Sequence, residues 1–115
     1  MKSRELNKLL VESFPNLNDE YVDEVSWQEG DDTGSHTVYG DVFTPYLSNC
    51  IEENRQEEIT QAFEYIEKLL NLEDTYADEV VSFSILESIV YLIKEREKLF
   101  DLLGDKTKES IKEFL

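Results

Sequence analysis

The 115-residue chain is poor in several things at once: one cysteine, one histidine, one tryptophan, two prolines and four glycines. A lone cysteine, Cys50, rules out an internal disulfide and any cysteine-built zinc site, so a reducing compartment, the cytoplasm, is expected. The four glycines, at 30, 34, 40 and 104, match neither a P-loop nor a dinucleotide-binding fingerprint, and no lysine stands near the first three to meet a phosphate. Long apolar runs are missing too. The strongest, Ile85 to Ile93, contains Glu87 and is far short of the ~20 residues that cross a bilayer. The opening residues Met1 to Leu6 have no apolar h-region, so no secretory leader is expected.

Positive charge is the scarcest commodity. Eleven Lys and Arg face 27 Asp and Glu, for a formal charge of −16, and no Lys or Arg occurs between Leu9 and Asn54. Residues 1–8 carry +2, residues 94–115 are neutral, and residues 9–93 carry −18. Such a balance repels phosphates and predicts neither a nucleic-acid binder nor a protein of anionic membranes. It is the surface either of a generally acidic protein or of one shaped to meet something strongly positive.

What is present is a core. Leu, Ile, Val and Phe make up 35 residues, about 30% of the chain, enough for one folded domain over 1–115. The spacing is helical. Leu6, Leu9, Leu10 and Phe14 form one stripe of a helix capped by Ser3 and ended by Pro15. Asn18 caps a second helix with Tyr21, Val22 and Val25 inward. Residues 28–37 read as a surface loop. Asp41 caps a third helix with Pro45 in its first turn, followed by Tyr46, Leu47, Cys50 and Ile51; the stretch 36–42 could instead be a strand or a loop. Ile59 to Leu70 is a regular amphipathic helix. Residues 76–93 are apolar on nearly every side, which predicts either a central helix covered by its neighbours or a dimer interface. Gly104 reads as a C′ glycine. The sum is an all-α single domain of five to seven short helices around the 76–93 segment, its oligomeric state open.

Catalytic chemistry is thin. His36 sits beside Ser35 and near Asp31 and Asp32, but a serine adjacent in sequence on a loop is poorly placed to be a nucleophile. Paired acids abound, with Glu20 and Glu24 on one helical face, yet no calcium loop and no Glu-x-x-His appear. The chain is therefore expected to be no enzyme, with no catalytic residue, no cofactor and no metal site.

Residues 19–32 differ from the rest: seven acids, a tyrosine and the only tryptophan, with no positive charge. Aromatic side chains anchor interfaces, and carboxylates steer and grip Arg and Lys. The candidate partner-binding residues are Asp19, Glu20, Tyr21, Asp23, Glu24, Trp27, Glu29, Asp31 and Asp32, with Tyr39 and Asp41 beyond the loop. Tyr21 and Trp27 have a core reading of equal weight.

Three motifs carry a resemblance: Val38-Tyr39-Gly40-Asp41-Val42-Phe43, then Phe63-x-x-Ile66-x-x-Leu69-Leu70, then Val80-Val81-Ser82-Phe83-Ser84-Ile85-Leu86-Glu87-Ser88-Ile89. Over about residues 5–115 the chain resembles small bacterial helical proteins that look like immunity proteins of polymorphic and contact-dependent growth inhibition toxin systems. The resemblance implies a cytoplasmic immunity protein that binds and neutralises one cognate protein toxin, basic and nuclease-like. The same charge suits an acidic nucleic-acid mimic or regulatory adaptor on a DNA-binding host protein.

Overall fold

Helix α1 (Ser3–Ser13) turns Leu6, Asn7 and Leu10 inward. Its start is held by Glu5, whose Oε1 accepts the Lys2 N–H at 3.0 Å; Ser3 is not a cap but the first helical residue, with its hydroxyl 2.8 Å from Tyr76 Oη. Pro15 opens a 3-10 turn, Pro15–Leu17, that runs straight into α2 (Asn18–Ser26), so Asn18 lies inside the helix and makes no capping bond. Tyr21 and Val25 are buried on α2, whereas Val22, expected inward, faces solvent.

The computed structural model describes residues 1–115 and contains seven helices and no strand. The 28–37 segment is not a simple surface loop. A 3-10 turn, Gly30–Asp32, is entered through Gly30 at φ +59°, and Thr33 and Ser35 are buried. Helix α3 then begins at Ser35, much earlier than a cap at Asp41 would allow. It runs without a break through α-helical Ser35–Val38, a π turn at Tyr39–Phe43 and α-helical Thr44–Glu52, so 36–42 is neither strand nor loop. Pro45 thus lies well inside a helix, where its ring would press on the carbonyl four residues back; the wide turn just ahead of it, closed by Thr44 N–H on Tyr39 O, is the local relief.

Helix α4 (Gln56–Leu70) buries Ile59, Ala62, Phe63, Tyr65, Ile66, Leu69 and Leu70. Helix α5 spans 75–95, again with a π turn, Val81–Leu86, between α-helical Thr75–Val80 and Glu87–Glu95. The two wide turns pack on each other: Thr44 Oγ1 donates to Ser84 O at 2.6 Å, and His36 Nδ1 lies 2.8 Å from Ser84 Oγ. The α5 segment is central but not covered all round, since Phe83 and Tyr91 are more than half exposed.

Two short helices, α6 (Glu97–Leu102) and α7 (Asp105–Ile111), close the fold. Gly104 has φ −71°, so it is no left-handed C′ residue. Its lack of a side chain serves another end: a Cβ there would overlap the Glu67 carboxylate. That carboxylate reaches from α4 to cap α7, accepting Lys106 N–H at 3.1 Å, Thr107 N–H at 2.9 Å and Thr107 Oγ1 at 2.8 Å. Burial alone would raise the Glu67 carboxyl, but these bonds outweigh it and hold the group below the usual range.

Inside, Phe14 stacks edge-on with Phe43 and Tyr65 at 5.4 and 5.2 Å between ring centres, tying α1, α3 and α4 into one core.

Candidate partner-binding face

With Tyr21 and Val25 pointing inward, the 3.6-residue period places Asp19, Asp23 and Trp27 on the outer side of α2 and its C-terminal end, while Glu20 and Val22, both exposed, lie on its two opposite flanks. Trp27 is 73% exposed and Val22 49%, so the core reading of Trp27 does not hold. Glu29 continues the face, and α2 contains no basic residue.

The two tyrosines do not belong to that face. Tyr39 is 0% exposed; its hydroxyl donates to Leu6 O at 2.6 Å and meets Tyr65 Oη at 2.8 Å. Tyr21 is 4% exposed and spends its hydroxyl on Asp31 Oδ1 at 2.7 Å. Desolvation pushes all three phenols up, the Asp31 bond adding to the effect at Tyr21. Both candidates are corrected to core residues, because a hydroxyl already satisfied inside lets a tyrosine be buried outright.

The acids divide by what already holds them. Asp31 and Asp32 are engaged by Arg4, whose Nε donates to Asp32 Oδ1 at 3.0 Å and whose Nη1 lies 3.7 Å from Asp31 Oδ2. Asp32 in turn raises the Arg4 pKa. Beneath them, buried Asn7 donates to Asp31 O at 3.1 Å and Thr33 O at 2.7 Å, and accepts from Ser35 Oγ at 2.8 Å. Asn7 is the residue that sequence reasoning missed. Its signal was a polar side chain one turn before Leu10 on the inward stripe. Arg4 and Asn7 fix the 3-10 turn and with it the end of the acidic face.

Across α2 and α3 the Asp41 carboxyl, 17 positions away in sequence, acts on the Glu24 charge. Desolvation first, and then the Asp41 carboxyl, raise Glu24 above the usual range, while Gln28 Nε2 donates to its Oε2 at 2.7 Å. Asp19, Glu20, Asp23 and Glu29 make no internal ion pair. The face therefore offers an exposed indole among carboxylates free to meet a cation, with an exposed valine on one flank of the same helix.

Elsewhere, Ser35 and His36 do not act on each other. The serine hydroxyl is turned to Asn7, and the His36 ring sits edge-on to Tyr76 at 5.7 Å while contacting Ser84. No group of three or more His, Cys, Asp or Glu is arranged to hold a metal ion, and no helix is long and apolar enough to cross a membrane. Comparison with curated proteins and with solved structures gives no match. Residues 7–115 match a family described as a domain of unknown function, DUF7674, and the chain belongs to that family.

Proposed function

We propose that this domain is a protein-binding inhibitor of the immunity type: a cytoplasmic protein that captures one cognate, basic, nuclease-like toxin domain through the outer face of α2. The observation that carries the reading is Trp27, 73% exposed at the C-terminal end of α2, one turn beyond Asp23 and two residues before Glu29. A large indole left in water on a strongly charged surface is a ready interface anchor. The carboxylates supply the complementary field that speeds encounter with a basic partner and suppresses wrong ones. A toxin that grips nucleic acid presents cationic groups spaced for phosphates, and this face returns carboxylates to them. Buried, unpaired Cys50 suits a reducing compartment.

Affinity capture of the tagged chain from its host at low salt, with a salt-step elution, tests the reading. Support is one stoichiometric basic partner, toxic when expressed alone. Trp27→Ala should then mainly raise the off-rate, and charge reversal at Asp19 and Asp23 mainly lower the on-rate. Several DNA-binding proteins that free DNA displaces would overturn it in favour of a nucleic-acid mimic. A single partner indifferent to Trp27, Asp19 and Asp23 would move the interface elsewhere.

A further inference from the structure

At the inner edge of the acidic face, between α2 and α3, the surface dips into a hollow of about 210 Å³. Leu17, Val42, Pro45 and the Tyr46 ring form most of its wall, Asn49 adds an amide, and Glu20 and Asp41 bring one carboxylate each from the two helices. Small-molecule sites usually enclose about 300–1,000 Å³, so this one fits a single side chain better than a free ligand.

The lining specifies what that side chain is. Apolar and aromatic walls accept a flat, weakly hydrated group along its faces, and two carboxylates from different helices accept N–H donors at its edge. Neither Glu20 nor Asp41 takes part in an internal ion pair. No Lys or Arg occurs from Leu9 to Asn54, and Arg4 is committed to Asp31 and Asp32. At the rim, burial and the Asp41 carboxyl together raise Glu24 above its ordinary value, the mark of a local shortage of positive charge.

We propose that the hollow receives one arginine side chain from the basic protein partner, Glu20 and Asp41 accepting guanidinium N–H groups while Tyr46 and Pro45 flank the plane. This rests on the proposed partner being basic, and adds which residue it inserts and where. Arginine is favoured over lysine because its planar fork serves two carboxylates at once and stacks on an aromatic ring, whereas an ammonium is a compact, strongly hydrated charge.

The test uses the ¹⁵N-labelled full chain titrated with N-acetyl-arginine methylamide, and separately with its lysine counterpart and with spermidine. The expected result is saturable shifts confined to residues around 17–20 and 41–49. Lysine should bind at least about fivefold more weakly, roughly the worth of one hydrogen bond. The shifts should vanish in Glu20→Gln/Asp41→Asn, with the remaining spectrum unchanged. No saturable shift at the hollow, an equal response to lysine, a tighter response to spermidine, or shifts that survive the double substitution would each overturn the inference. Because the probe is free arginine, these outcomes are independent of partner capture. A hollow that ignores arginine on a chain whose Trp27 still anchors a basic partner would remove this inference and leave the proposed function standing.

Discussion

Replacing Gly104 by alanine should change sign with the residue at position 67. In the native chain, a methyl at 104 collides with the Glu67 carboxylate and pushes it off Lys106 N–H, Thr107 N–H and Thr107 Oγ1. Losing a helix cap of this kind costs about 0.5–2 kcal/mol, and three bonds from one ionised group argue for the upper half of that range. Against it stands a gain of about 0.4–1 kcal/mol, because φ −71° and ψ 167° suit alanine and the unfolded chain loses freedom. Gly104→Ala alone should therefore destabilise by about 1 kcal/mol, a fall in Tm of about 4 °C. Glu67→Ala should cost about 1–2 kcal/mol through the same lost cap. In the Glu67→Ala background the collision is gone, and Gly104→Ala should stabilise by about 0.4–1 kcal/mol. A four-member cycle by urea denaturation reads the coupling directly. Its pH dependence supplies a second check. The native Glu67 carboxyl is held below its unfolded value, so its contribution is complete above the ordinary glutamate range and is lost as pH falls through the depressed folded value. Glu67→Ala should accordingly flatten that acid limb. Additive effects, or a Gly104→Ala that stays destabilising without Glu67, would refute the reasoning.

Four other substitutions, with Lys8→Ala as a control, separate structure from interface. Asn7→Ala, which orphans Asp31 O and Thr33 O, should cost about 2–3 kcal/mol in denaturation and speed amide exchange across 29–35, whereas an exposed neighbour such as Lys8→Ala should do neither. Trp27→Ala should change stability by less than about 0.5 kcal/mol. Fluorescence of the wild-type Trp27 should be solvent-like in the free protein and shift to the blue on partner binding, while Tyr39→Phe should cost about 1 kcal/mol of stability and leave partner affinity unchanged. Glu24→Gln should raise Tm at neutral pH. The native carboxyl is raised in the folded state, so it destabilises as pH rises through the ordinary carboxylate range and beyond, and the variant should flatten that slope.

The all-helical fold was legible because stripes such as Ile59, Phe63, Ile66 and Leu70 leave no strand-like alternative at that length, and the structure contains seven helices. What was not legible depended on partners distant in sequence. Tyr39 resembles an interface tyrosine until Leu6 O and Tyr65 Oη occupy its hydroxyl, 33 and 26 positions away. Gly104 resembles a helix terminator until Glu67 arrives 37 positions earlier. Pro45 reads as a first-turn residue because sequence spacing assumes a regular helix, and the start at Ser35 is invisible under that assumption. On the candidate face, composition located the acids and the indole. It could not tell that Asp31 and Asp32 were already held by Arg4, or that Asp41 would raise Glu24 from another helix.

The two wide turns have a consequence for how so short a chain makes a core. One surplus residue in a helix rotates everything beyond it by about 100°, since each residue advances 360°/3.6 around the axis. Helix α3 can thus aim its first stretch at α1, through Val38 and Tyr39, and its last at α4, through Leu47, Cys50 and Ile51, without spending residues on a loop. Helix α5 does likewise, its surplus residue lying against that of α3, which is why its apolar positions seemed to surround it: two phases are written one after the other. Removing a single residue from either turn would be a change of phase rather than of length. The far half of that helix would present its charged side to the core, and the partner turn would face a regular helix that no longer fits it.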